Sequence, residues 1–238
     1  MTTAQSPKPG QAKAGSKPEP KRRGRGPGRT SREDWIRVAL DTLVSEGIDR
    51  VRVLELARKL DCARSSFYWY FKNRADLLDA LLEHWQATNT RILVASAQQP
   101  ADTITQAVAR LIASWAAPGE FDIPLDLAIR DWARHSGSVS RAVDQSDADR
   151  INAFAAMYMR HGVSASEAEV RAQILYFHQF GYDALGRRES WDTRLARSRD
   201  YLFCLTGVIP TEAEVQELAD TVRANLARRQ EPRGAPEE

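Results

Sequence analysis

Apolar residues recur along most of this chain at spacings of three and four, and no stretch alternates in the way a half-buried strand does. The pattern therefore predicts helices throughout. Ser31, with Asp34 three residues on, reads as a capping box; Ile36, Ala39, Leu40 and Leu43 follow on one helical face, and Gly47 ends the run. Two shorter faces come next: Leu56, Ala57 and Leu60 before Asp61-Cys62, and Phe67 with Phe71 after it. This is a short helix, a sharp turn and a second short helix. Ala57 is small enough for a close crossing, and Asp61 sits where the turn wants a positive φ. Asn73, with Asp76 as its reciprocal partner, opens a helix with the inner face Leu77, Leu78, Leu81, Leu82 and Trp85, continuing to Ala97.

Pro100 breaks the pattern, and Ile104, Val108, Leu111, Ile112 and Trp115 form the next stripe, up to Pro118-Gly119. Leu125 to Arg134 reads as a shorter helix stopped around His135-Ser136-Gly137. Ser138 to Arg160 is a longer one, with Ile151, Phe154, Met157 and Tyr158 inward and Gly162 as its stop. Ser164 with Glu167 starts a helix carrying Ile174, Phe177, His178, Gly181 and Tyr182 towards Gly186. Thr193 to Leu205, and Thr211 to Arg228 with Val215, Leu218, Val222 and Leu226 inward, close the expected all-α fold.

In helix-turn-helix geometry the second helix offers its N-terminal residues, Ala63, Arg64, Ser65 and Ser66, to base edges. Tyr68, Tyr70 and Lys72 lie further along, within reach of sugar-phosphate. Arg50 and Arg52, at the start of the preceding helix, are ordinarily solvated, and Arg52 joins the candidate phosphate contacts. Phe67-Tyr68-Trp69-Tyr70-Phe71-Lys72-Asn73-Arg74, followed by Leu77-Leu78-Asp79-Ala80-Leu81, resembles the end of the DNA-binding domain in the tetracycline-repressor (TetR) family. The resemblance runs from Ser31 to Trp85. Tyr70 stands where that family usually has His, Asp61 where it has Gly, and Ala63 where it has Ser or Thr; a phenol can still donate to a phosphate.

The resemblance implies an N-terminal three-helix DNA-binding domain followed by a larger helical domain for ligand binding and dimerisation. It also implies a transcriptional regulator, most often a repressor, that binds a palindromic operator in double-stranded DNA as a homodimer and is released by a small, largely apolar effector. Arg64, Ser65, Ser66, Tyr68, Trp69, Tyr70, Lys72, Arg74 and Arg52 are the residues it places against DNA. On this division residues 1–29 are a disordered basic arm, 30–73 the DNA-binding domain, 74–228 the effector and dimerisation domain, and 229–238 a frayed tail.

Charge sharpens one part of this picture. Residues 1–30 hold eight Lys and Arg against the single acid Glu19, a net +7, so a chain of net +2 has a remainder of −5. Attraction to nucleic acid must then come from the arm and from local patches, with Lys21-Arg22-Arg23-Gly24-Arg25-Gly26 able to follow phosphate or enter a minor groove. No apolar run is long enough for a membrane span and the N-terminus is not signal-like, so the expectation is a cytoplasmic protein. Cys62 and Cys204 carry no metal-ligand spacing and are expected as small buried hydrophobes.

Candidate chemistry is sparse. There is no phosphate loop, zinc spacing or nucleophile elbow, and His84, His135, His161 and His178 fall on separate elements, so neither an enzyme nor a cofactor is expected. Asp122, Asp126 and Asp131 read as a solvated helical face. The aromatics Trp85, Trp115, Trp132, Phe154, Tyr158, Tyr176, Phe177 and Tyr182, with His178 and Gln179, form a candidate effector pocket, each aromatic also suited to a core position. A helical interaction protein that keeps the motif and answers to a protein partner is the alternative.

Overall fold

The structure is a computed structural model that describes residues 30–116, 121–186 and 189–230, so the basic arm and the last eight residues lie outside the described residues. Every regular element among the described residues is helical. The first unit is α1 (Arg32–Glu46), α2 (Val53–Lys59), a 3-10 segment (Arg64–Trp69) and α3 (Arg74–Trp85). The remainder is α4 (Arg91–Gln98), α5 (Ile104–Ala116), α6 (Ile123–Ala133), α7 (Gly137–Arg160), α8 (Ala165–Ala184), α9 (Trp191–Leu195), α10 (Ser198–Thr206) and α11 (Glu212–Gln230). None of these helices is long and apolar enough to cross a membrane.

The predicted caps form. The Ser31 hydroxyl accepts from the Asp34 N–H at 3.1 Å while the Asp34 carboxylate accepts from the Ser31 N–H at 3.0 Å, satisfying two donors the helix start would otherwise leave open. Gly47 ends α1 at φ 83°, a backbone angle that excludes most side chains. Asp61 is the one non-glycine residue with positive φ among the described residues, at 49°. The turn it makes lets the Cys62 N–H reach the Ala57 carbonyl at 3.0 Å. Asn73 caps α3 through the Asp76 N–H, but the Asp76 carboxylate accepts from the Lys72 N–H rather than closing on Asn73.

Two differences from the expected elements have local causes. The second helix of the motif is a 3-10 segment, where the Ser66 hydroxyl donates to the Ala63 carbonyl three residues back and draws the turn tight. The helix expected from Thr193 to Leu205 is broken between α9 and α10, with the Ser198 hydroxyl turned onto the Leu195 carbonyl. The long helix from Asn73 does continue to Gln98, passing through a π-helical segment, Gln86–Thr90, that joins α3 to α4.

The apolar residues gather into two clusters. One is built on Trp35, Leu43, Leu56, Phe67, Phe71, Leu77, Leu81 and Trp85, and it takes in Leu125, Ile129 and Trp132 of α6 and Val139 and Val143 of α7. Phe67 stacks on Phe71 at 5.3 Å and meets the edge of Trp35 at 5.2 Å, pinning the 3-10 segment onto α1. Each such fully buried side chain contributes roughly 1.5 to 3 kcal/mol relative to exposure. The other cluster joins Val108, Leu111, Trp115, Phe154, Met157, Tyr158, Leu175, Leu202 and Val222 from α5, α7, α8, α10 and α11. The α7–α8 hairpin is its spine.

Candidate nucleic-acid interface and regulatory cleft

Phe67 and Phe71 face inward, so the residues between and beside them are turned out. Arg64, Ser65, Tyr68, Trp69 and Lys72 are exposed, Trp69 by 80%. A large ring so bare, flanked by a phenol and a lysine, is costly unless something flat or anionic covers it. The Arg64 guanidinium reaches the Tyr68 hydroxyl at 3.3 Å, one turn along, so these two form a single polar edge. Other candidates are engaged within the chain. Ser66 is buried, and its hydroxyl is held by the Ala63 carbonyl at 2.7 Å, so it is a structural residue rather than a base contact. The Tyr70 hydroxyl donates to the Thr30 carbonyl and ties the chain entering α1 to the end of the motif. Arg74 spans to the Val51 and Ile48 carbonyls at 2.6 and 3.0 Å, and Arg52 donates to the Asp49 carbonyl at 2.7 Å, so both brace the loop before α2.

Behind the motif, α3 is clamped to the body by a buried polar network. Asp126 is only 3% exposed, against the solvated face its helical spacing suggests. Its Oδ1 accepts from the Trp85 indole N–H at 2.8 Å and from Arg150 at 2.9 Å, and its Oδ2 accepts from Arg130 at 2.9 Å. Arg150, with no exposed surface at all, also donates to the Thr90 hydroxyl at 2.9 Å and to the Tyr176 hydroxyl at 3.1 Å, and its guanidinium lies 5.3 Å from the Trp85 ring. Arg130 forks onto both oxygens of Asp147 at 2.9 and 2.6 Å, where Tyr176 also donates at 2.6 Å. Burial alone would raise the Asp126 carboxyl, but the charges of Arg150 and Arg130 outweigh it and hold the group below the usual carboxylate range. In the π segment Asn89 donates to the Asp122 carbonyl at 2.9 Å and accepts from the Asp122 N–H at 3.3 Å, so the Asp122 backbone is part of this joint; Asp122 and Asp131 are exposed as expected, and Asp126 is the buried exception. A π turn opens extra side-chain room in a helix, and here that room seats Asn89 and Thr90.

The predicted aromatic pocket does not form as one site. Trp85 and Trp132 belong to the first core, and Trp115, Phe154, Tyr158 and Tyr176 to the second. Phe177 is 57% exposed on the outer face of α8. Cys204 is exposed on α10 and Cys62 half-buried, so neither is the buried hydrophobe expected of it. His178, Gln179 and Tyr182 do line a cleft, together with Trp191, Arg194 and Tyr201 above an apolar floor that includes Leu175 and Leu218. It holds about 560 Å³ of open space, its mouth included. Arg194 lies between two rings, 4.2 Å from Tyr182 and 4.4 Å from Trp191, and donates to the Gln179 Oε1 at 3.2 Å. The other end of Gln179 donates to Asp183 at 3.1 Å. Asp183 and Gln179 in turn wall a smaller cavity of about 290 Å³ shared with Trp115, Phe121, Asp126 and Arg150. One buried glutamine thus separates the cleft from the network that holds α3. Trp191 and Arg194, three apart on a short helix, were the sequence signal for this site; the aromatic stripes of α5 and α7 were not.

No group of metal-ligating side chains occurs among the described residues. Residues 36–81 match the family described as bacterial regulatory proteins, tetR family. The class A tetracycline repressor from transposon 1721 of Escherichia coli is 43% identical over 54 residues, 23% of this chain and 25% of that protein. The class H repressor of Photobacterium damsela subsp. piscicida is 43% identical over 53 residues, 22% of this chain and 24% of that one. The chain therefore matches about a quarter of the length of these relatives. Among solved structures, Mycobacterium smegmatis AmtR shares 15% identity at a TM-score of 0.56, covering 86% of this chain and 98% of that chain. Salmonella enterica GusR shares 13% at 0.51, covering 82% and 95%. These two likenesses concern the fold alone. The likeness to the tetR family of bacterial regulatory proteins therefore lies in the N-terminal unit, over the motif, turn and aromatic run described above.

Proposed function

We propose that the chain is a transcriptional repressor that binds a palindromic DNA operator as a homodimer and lets go when a small molecule enters the cleft between α8 and α11. The observation that carries the reading is the edge formed by Arg64, Ser65, Tyr68, Trp69 and Lys72. It is solvent-facing, hydrogen-bond-capable and aromatic, and it is held rigid from behind by Phe67 and Phe71. Arg64 and Ser65 read base edges, and Tyr68, Trp69 and Lys72 set the register on sugar and phosphate. Val170, Ile174 and Phe177, exposed at helical spacing on α8, with Phe203 on α10, supply an apolar face for a second copy. A two-fold pair presents two motifs, which requires half-sites about 34 to 36 Å apart in successive major grooves.

The test is to sequence DNA fragments retained by the purified chain, in parallel with an Arg64→Ala variant. An imperfect palindrome is expected, and losing Arg64 should cost about 1 to 3 kcal/mol on it and relax preference at one position of each half-site. Lys72→Ala should instead weaken all fragments about equally. Retained fragments without common sequence, or a preference unchanged by Arg64→Ala, would remove the assignment.

A further inference from the structure

The cleft carries one formal charge. Its walls are Ile112, Leu175, Leu195, Leu205 and Val222 with aromatic and hydroxyl groups, and Arg194 is the sole residue of permanent charge among its lining residues. Arg194 makes no ion pair among the described residues; its one hydrogen-bond acceptor is the neutral Gln179 Oε1. The nearby acids do not line the cleft. Asp183 is occupied by the Gln179 amide, and Glu189 accepts from the Tyr182 hydroxyl at 2.7 Å and from Arg197 at 2.8 Å. His178 adds no second cation near neutral pH, because burial and then the charge of Arg194 push its imidazole below the ordinary histidine value. Among the described residues of the body, every other half-buried or buried arginine has a carboxylate: Arg130 and Arg150 have Asp126, Arg171 has Glu167 at 2.7 Å and Arg110 has Glu217 at 3.3 Å. Arg194 differs from all of them.

We infer that the ligand of this cleft is a small amphiphile with one carboxylate and an aromatic or aliphatic body, the carboxylate pairing with Arg194 and the body lying on Leu175, Leu218 and Val222. This rests on the cleft being the effector site. A planar guanidinium sandwiched between Tyr182 and Trp191 is already oriented, so little side-chain entropy is lost when a carboxylate takes its donors in a forked pair. The ring or chain lies on the apolar floor while the guanidinium stays between Trp191 and Tyr182. Arg194 then exchanges the Gln179 oxygen for the carboxylate. Gln179 is released on one side while still bonded to Asp183 on the other, next to the cavity walled by Asp126 and Arg150. Ligand charge is thereby read at the position from which the clamp on α3 is reached.

The experiment is calorimetric titration of the full 238-residue chain at neutral pH. Two skeletons are used, octyl and 3-phenylpropyl, each as carboxylate, alcohol and amine. On at least one skeleton the carboxylate should bind about tenfold or more tighter than its alcohol, the scale of one charge-assisted hydrogen-bonded contact, and the amine weakest. Arg194→Met, which keeps a long side chain between the two rings, should bind the acid and the alcohol alike, and Arg194→Lys should restore part of the preference. Alcohol or amine binding as tightly as acid to the wild type on both skeletons overturns the carboxylate inference and leaves the cleft as effector site standing. A preference that survives Arg194→Met overturns the role of Arg194. No heat of binding from any of the six compounds at millimolar concentration removes the cleft as effector site, and this inference with it.

Discussion

Two tryptophans with no exposed surface sit in the same apolar cluster, and they are treated oppositely. Trp35 packs edge-on to Phe67 in the first unit, and its indole N–H is a buried donor without a partner among the described residues. Trp85, at the far end of α3, gives its N–H to a buried carboxylate at 2.8 Å. The centre of the first unit is held by shape and apolar area, with hydrogen bonds such as those of Tyr70 and Arg74 to backbone carbonyls at its edge. Its junction with the body adds, to the apolar contacts with α6 and α7, directional charge-assisted bonds, which have one good arrangement and lose much when displaced.

The comparison is broken most severely at Arg150. Arg150→Ala leaves Asp126 buried beside Trp85 with a single cation, and removing one partner of a buried pair typically costs about 3 to 5 kcal/mol. Urea denaturation should register that loss, whereas Arg134→Ala, on an exposed pair at 4.0 Å, should register almost none. Equal effects from the two would mean that the network is incidental to stability.

A paired substitution tests the tryptophans themselves. Trp35→Phe and Trp85→Phe both remove part of a buried ring, but the first also removes an unpaired donor while the second takes a hydrogen bond away from an ionised acceptor. Trp85→Phe should be the more destabilising by at least about 1.5 kcal/mol, the value of one bond to a charged group. Midpoints in the same denaturation experiment decide it, and a reversed order would sink the assignment of the Trp85 bond.

Acid sharpens the contrast on a second polar tie in the body. Burial pushes the Glu214 carboxyl up, but the hydroxyls of Thr103, Thr105 and Thr211 and the Thr211 N–H outweigh it and bring it down to about 2. A carboxyl depressed in the folded state stabilises fully above its unfolded value near 4.5. That contribution fades as pH falls towards 2. Wild type should thus exceed Glu214→Gln in stability at pH 6, and the two should converge as the pH is lowered through that window. Denaturation midpoints at pH 6, 4 and 2.5 make the check; parallel curves would show that Glu214 is not tied in this way.

What could be read in advance divides along the same line. The caps at Ser31 and Asn73, the stop at Gly47 and the left-handed turn at Asp61 depend on neighbours within four residues, so the sequence displays them directly. Asp126 and Arg130 lie on α6 and Asp147 and Arg150 on α7, and their pairing depends on α6 packing across α7. From spacing alone they are indistinguishable from a solvated face. Of the cleft, only His178, Gln179 and Tyr182 were among the expected pocket residues, for the same reason. Aromatics at helical spacing mark burial, but which of them leave a gap is decided by where α9 breaks from α10, and neither Gly nor Pro marks that break.

The smallest predicted effect lies at the turn of the motif. Asp61 holds φ 49°, its side chain is exposed, and the bonds that shape the turn are made by the backbone, from the Asp61 N–H to the Arg58 carbonyl at 3.2 Å and from the Cys62 N–H to the Ala57 carbonyl at 3.0 Å. A side chain in the left-handed region costs about 1 kcal/mol, somewhat less for Asp, and Gly removes that cost while gaining freedom in the unfolded chain. Asp61→Gly should therefore change stability by less than about 1 kcal/mol, towards greater stability, and Asp61→Ala, which keeps the Cβ and loses the tolerance of Asp, should go the other way. Because both substitutions leave Arg64 and Lys72 untouched, any change in operator affinity should follow the change in stability. Thermal unfolding of the two variants beside the wild type measures the order Gly, Asp, Ala; if Ala proved the most stable of the three, the left-handed turn would not be what fixes the angle between α2 and the DNA-facing segment.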